Sequence, residues 1–178
     1  KRILDIMETS IRQRRFKVWY QPVFNLKTNR FSSAEALLRL RDYDGEPVSP
    51  AEFIPLAEET GLIDDLSWIV LEEVCMLLGH MSGQIDSISI NLSMQQFEDR
   101  NLSGRINACL KRSGLSPDKL KIEVTERVLL QDMDYMRMIM EEMTGEGFGF
   151  YLDDFGTGYS NISCALSLPF EYIKLDRS

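Results

Sequence analysis

Glu35, Asn91, Glu123 and Asp153 each stand within or at the end of a short β-like run, and Asp154 follows the last of them directly. The steps from Asn91 to Glu123, from Glu123 to Asp153 and from Asp153 to Lys174 are 32, 30 and 21 residues, each compatible with one strand–helix unit. Grouped carboxylates cannot all stay ionised in a partly desolvated site without a counter-charge. A divalent cation supplies it. Because the donors are all oxygen, with neither Cys nor His among them, the set favours Mg²⁺, Mn²⁺ or Ca²⁺ over zinc.

Strand parity sorts these residues from the core. Side chains alternate between the two faces of a strand, so Ile88 and Ile90 oppose Ser87, Ser89 and Asn91, and Ile122 and Val124 oppose Glu123 and Thr125. Ile173 and Leu175 likewise oppose Tyr172, Lys174 and Asp176, while Glu35 shares a face with Leu37 and Arg39. Four strands therefore aim polar groups one way. In a parallel barrel that direction is the lumen, and the C-terminal strand ends line the mouth where substrates bind.

The elements that would carry these groups are legible. Ile3, Ile6, Met7 and Ile11 recur at helical spacing, so the chain is expected to open with an amphipathic helix that ends near Arg12 to Arg15, a solvated basic cluster. Lys17 to Phe24 and Phe31 to Leu38 are β-like runs whose connection is too short for a parallel crossover, so the pair must be antiparallel. Ser49-Pro50-Ala51-Glu52 reads as a capping box with Gly61 as the stop, and a second helix is expected from about Asp65 to Leu78, burying Leu66, Ile69, Val70, Leu77 and Leu78. Then strands and helices alternate: Ser87 to Asn91, a helix around Leu102 to Leu110, Leu120 to Glu126, a helix from Asp132 to Met143, Phe148 to Asp153, a short helix near Ile162 to Leu168, and Tyr172 to Asp176. Six strands result, mostly parallel and covered by helices. Met133, Met136, Met138, Met140 and Met143 read as pliable core and helix surface.

Composition narrows the class further. The 178 residues, 44% hydrophobic and 27% charged, suffice for one core, and no apolar run is long enough to span a bilayer. A cytoplasmic location without membrane contact is expected. Cys75, Cys109 and Cys164 lack any C-x-x-C pairing and read as reduced packing residues. The formal charge of -8 argues against duplex nucleic acid, yet it leaves open a small phosphate ligand held through a cation.

Other chemistries fit poorly. Gly156-Thr157-Gly158 has Asn161 where a dinucleotide fingerprint needs a third glycine, and it follows a late strand. His80 is the sole histidine and sits at a predicted helix end, which leaves no Ser-His-Asp triad. A phospho-acceptor receiver would carry its acid pair on the first strand, whereas Asp153-Asp154 follows the fifth.

Glu35-Ala36-Leu37-Leu38-Arg39, Asn91-Leu92-Ser93, Glu123-Val124-Thr125-Glu126, Asp153 to Ser160 and Lys174-Leu175-Asp176, with Tyr20-Gln21-Pro22 and Pro50 to Glu58, together resemble the EAL family from about Phe16 to Ser178. The resemblance implies a modified TIM (β/α)8 barrel with an antiparallel first strand, and the short connection between the first two runs agrees with it independently. About six strands fall within the chain, and the last two of an eight-stranded barrel have no counterpart. Residues 1–15 are expected as an N-terminal helix or linker and 16–178 as the barrel domain, incomplete at its C-terminus, with further domains in the parent chain. Open parallel edges suit association with another chain, so a homodimer is a further expectation.

By resemblance, Glu35, Asn91, Glu123 and Asp153 hold one metal, and Asp153 with Asp154 helps to hold a second, the pair being Mg²⁺ or Mn²⁺. The cations activate a water that opens cyclic di-GMP to linear pGpG. Lys174 sits beside that water, Arg39 reaches phosphate, Gln21 reaches a guanine edge, and Glu126 anchors the loop from Asp154 to Ser160; the alternative for Lys174 is a structural pairing with lumen acids such as Asp176, and for Glu126 a surface salt bridge. Two other functions remain open: a receptor that binds cyclic di-GMP without cleaving it, and a dimerising regulatory module.

Overall fold

A computed structural model describes residues 2–81, 83–129, 132–156 and 167–175. Helix α1 (Arg2–Arg12) precedes strands β1 (Lys17–Asn25) and β2 (Arg30–Arg41), which pair antiparallel. Asn25 makes the reversal possible: its Oδ1 accepts the Lys27 and Thr28 N–H groups at 2.9 and 3.1 Å, and Asn29 takes a left-handed φ of 54°. A two-residue strand β3 (Pro47–Val48) then pairs with the end of β2. The sequence holds no hint of it, since two residues carry no period.

Helices α2 (Pro50–Thr60) and α3 (Ile63–His80) follow. Pro50 opens α2 and Gly61 closes it at φ 75°, both as expected, but the capping box does not form. The Glu52 N–H goes to the Ser49 carbonyl at 3.0 Å, leaving the Ser49 hydroxyl without a cap role. The box occurs instead at α4 (Met94–Phe97), an unanticipated helix where Gln96 Oε1 accepts the Ser93 N–H at 3.0 Å.

From β4 (Ser87–Asn91) the chain alternates through α4, α5 (Leu102–Arg112), β5 (Leu120–Thr125), α6 (Glu126–Leu129), α7 (Met133–Gly145), β6 (Gly149–Phe155) and β7 (Phe170–Leu175). The strand order is β1-β2-β4-β5-β6-β7, and every neighbouring pair after the first is parallel. The architecture is the modified, TIM-barrel-like α/β arrangement with its first strand reversed.

One parity of these strands builds the core. Ala34, Ala36, Ile88, Ile90, Ile122, Val124, Phe150 and Leu152 are all buried, joined by Leu71 and Val74 of α3, Ile106 and Leu110 of α5, and Met136, Met140 and Met143 of α7. Each such large apolar side chain contributes roughly 1.5–3 kcal/mol by leaving water. Met138 lies on the exposed face of α7, as its spacing requires. A second cluster, of Ile6, Met7, Phe16, Leu40, Phe53, Ala57, Ile63 and Leu66, fixes α1 and α2 against the end of β2. Cys75 and Cys109 are buried free thiols, and burial pushes Cys75 up to about 12. Among the described residues no helix is long and apolar enough to cross a membrane.

The same parity holds on β7, where Tyr172 meets the Tyr151 ring and Lys174 meets three acids. Ile173 and Leu175, of the opposite parity, are exposed among the described residues. Cys164, Asp176, the loop from Thr157 to Ser160 and the expected helix up to residue 166 lie outside the described residues.

Candidate functional site

The second parity makes the site. Glu35 on β2, Ser89 on β4, Glu123 on β5, Tyr151 and Asp153 on β6, and Lys174 on β7 share one face of the sheet, linked by the register pairs Glu35↔Ser89, Glu123↔Tyr151 and Thr125↔Asp153. Carboxylate oxygens of Glu35, Glu123 and Asp153 all lie within 4.8 Å of one another. Lys174 stands among them. Its Nζ donates to Glu35 Oε2 at 2.9 Å and Glu123 Oε2 at 2.8 Å, and lies 3.1 Å from Asp153 Oδ2.

Burial sets the electrostatics. Glu123 is only 1% exposed, and that desolvation pushes its carboxyl up to about 7, even though Lys174 and the Ser89 hydroxyl hydrogen-bond to it. The Glu35 charge pushes the same way. Burial alone would lower Lys174, but its hydrogen bonds to Glu123 and Glu35 outweigh this and raise it. Three carboxylates against one ammonium leave a formal charge of -2 when all are ionised, which is an attraction for a further cation.

The remaining sequence candidates fall into place unevenly. Asn91 donates from Nδ2 to Glu35 Oε1 at 3.1 Å, so it joins the cluster. Asp154 is exposed, carries a left-handed φ of 54°, and sends its N–H to Asp153 Oδ1 at 2.9 Å. A non-glycine residue in that region is strained unless the surroundings hold it there. Gln21 is the register partner of Glu35 across β1–β2 and is exposed. Arg39 stands further along β2, where Nη1 donates to the Leu38 carbonyl at 3.0 Å and the guanidinium lies 5.6 Å from the Trp19 ring centroid. Glu126 opens α6 instead of ending a strand, and at 8% exposure it is buried. Most of the loop assigned to its anchoring lies outside the described residues.

Parity counting missed Ser89 as a partner of Glu123 and Trp19 as a neighbour of Arg39. Both share the lumenal parity with residues already singled out, so the signal was present. Below the acids lie the Tyr151 and Tyr172 rings, edge to face at 5.2 Å, and the Lys121–Glu171 ion pair at 2.8 Å. Burial pushes Tyr151 up to about 12.

The sequence profile of the EAL domain matches residues 5–178. This chain belongs to the EAL domain family. Among the curated relatives of this EAL domain, the bifunctional diguanylate cyclase/cyclic di-GMP phosphodiesterase MucR of Pseudomonas aeruginosa is 35% identical over 98% of the chain and 26% of its own length. The signaling protein YkoW of Bacillus subtilis is 35% identical over 97% of the chain and 22% of its length, and the probable cyclic di-GMP phosphodiesterase PdeB of Escherichia coli 32% over 97% and 34%. The EAL domain thus spans between 22% and 34% of the length of these relatives. A solved complex of the PaMucR phosphodiesterase with c-di-GMP superposes with a TM-score of 0.91 at 33% identity, covering 99% of this chain and 73% of that one.

Proposed function

We propose that this EAL domain is the catalytic module of a phosphodiesterase that hydrolyses cyclic di-GMP to linear pGpG, with residues 16–178 contributing barrel and site and the parent protein acting in the cytoplasm. The observation that carries the reading is the convergence of Glu35, Glu123 and Asp153 from three strands around Lys174. The cyclic di-GMP phosphodiesterase activity in the names of the relatives MucR and PdeB supports it.

The donor set fits a hard divalent ion. Carboxylate oxygens of Glu35, Glu123 and Asp153 lie within 4.8 Å of one another, a spacing that side-chain adjustment closes onto one cation. Glu35, Asn91, Glu123 and Asp153 would hold one ion, and Asp153 with Asp154 would help to hold a second, Mg²⁺ or Mn²⁺ in each case. Bound there, the ions supply Lewis acidity and a lowered pKa for water.

The chain's own residues do the rest. Asn91 fixes the orientation of Glu35 through its amide donor. Arg39, a planar fork, grips a phosphate of the substrate, and Gln21 reads a guanine edge. Lys174, an ammonium that pairs with Glu35, Glu123 and Asp153 in the metal-free site, would turn from them once a cation takes their oxygens, and would then direct an N–H at charge developing on the phosphoryl oxygens and orient the attacking water. Tyr151 and Tyr172 pack edge to face on the same side of the sheet beneath the acids.

Incubation of the full-length parent with cyclic di-GMP and Mg²⁺ or Mn²⁺, with nucleotide products separated by chromatography, tests the reading. Accumulation of pGpG is expected. Tight binding without product under either metal would favour a receptor and overturn the enzyme.

A further inference from the structure

We infer that Trp19 is the stacking platform for one guanine base of the cyclic dinucleotide, an inference that rests on the substrate reading above. Trp19 lies opposite Leu37 in the β1–β2 register, two residues from Gln21, whose own partner is Glu35. Its ring therefore shares the face of the acid cluster, displaced toward the mouth by one strand repeat of about 7 Å.

Two features make the ring available and oriented. At 57% exposure it remains open to solvent from within a strand. Arg39 is its diagonal cross-strand neighbour, with the guanidinium 5.6 Å from the ring centroid and tied to the Leu38 carbonyl at 3.0 Å. An aromatic plane with an anchored guanidinium over one face matches the chemistry of a purine nucleotide: the fork takes the phosphate, and the exposed part of the plane takes the base attached one sugar away. Gln21, one pleat deeper, meets a polar edge of the same ligand.

The roles of bulk and aromaticity separate in two variants of the full-length parent. Trp19→Leu keeps an apolar side chain but removes the flat π face, whereas Trp19→Phe keeps a face. Loss of one base–aromatic stack predicts that Trp19→Leu raises KM for cyclic di-GMP about tenfold or more, with kcat within about twofold. Isothermal titration of cyclic di-GMP in EDTA should show the same weakening, and Trp19→Phe should stay near the wild type in both measurements. Equal effects of Leu and Phe, or an unchanged KM in the Leu variant, would overturn the inference while leaving the substrate reading intact. A wild-type parent that neither binds nor cleaves cyclic di-GMP would instead remove the substrate reading and this inference with it.

Discussion

Lys174 Nζ donates to Glu123 Oε2 across 2.8 Å, tying β7 to β5 over the intervening β6. The bond joins a partly exposed cation to the most deeply buried acid of the site. Together the two groups govern both the charge of the cluster and its cost to the fold.

Replacing Lys174 by Met removes the ammonium that the three acids share. Turnover should fall about 100-fold or more, the usual result of deleting a group aimed at developing charge. The metal-free protein should lose about 1–3 kcal/mol in urea denaturation, because Glu123 is left with less compensation for its burial.

Glu123→Gln should separate stability from activity. Ionised Glu123 is disfavoured by burial and by Glu35, so a neutral isostere relieves the metal-free fold even as it removes a ligand charge. Activity should drop about 100-fold or more, while the metal-free Gln variant denatures at equal or higher urea than the wild type in mildly alkaline buffer. A variant that stays active would sink the ligand assignment.

The pH dependence follows from the same carboxyl. Its folded pKa of about 7 lies above the ordinary 4.5, so between those values the fold keeps a proton that the unfolded chain releases. The contribution of Glu123 to stability is accordingly full below about 4.5, declines as pH rises toward 7, and is constant above, the loss amounting to roughly 3 kcal/mol. Urea denaturation of metal-free protein should register this decline, and Glu123→Gln should flatten it. Mn²⁺ affinity runs the other way, rising with pH up to about 7 because the cation needs the ionised form.

Glu35→Gln should weaken Mn²⁺ about tenfold or more in isothermal titration and abolish turnover, since one ligand charge is lost while the Asn91 amide keeps an oxygen to bind. Treatment of the wild type with EDTA should stop turnover and lower the thermal midpoint. Metal at about 100 times its Kd stabilises the folded state by about 2.7 kcal/mol, so readdition should restore both.

Arg39→Lys keeps the charge but loses the planar fork. KM for cyclic di-GMP should rise roughly tenfold, the equivalent of one charge-assisted hydrogen bond. A kcat that fell in step, with KM unchanged, would move Arg39 from substrate binding to the chemical step.

Much of this was written in the chain itself. Period-two alternation placed Ile88, Ile90, Ile122 and Val124 in the core and Ser89 and Glu123 opposite, because a strand has only two faces and one of them must be dry. A connection from Asn25 to Arg30 could only reverse the chain, so the antiparallel first pair was readable from length alone. Short elements were not: β3, α4 and α6 have too few residues to show a period, and the Ser49 box lost its donor to a main-chain carbonyl. Tertiary structure alone decided that Glu35, Glu123 and Asp153 meet within 4.8 Å and that Lys174 reaches all three. Parity states which way a side chain points, but the twist and register that bring side chains from different strands together arise only when the whole sheet is assembled.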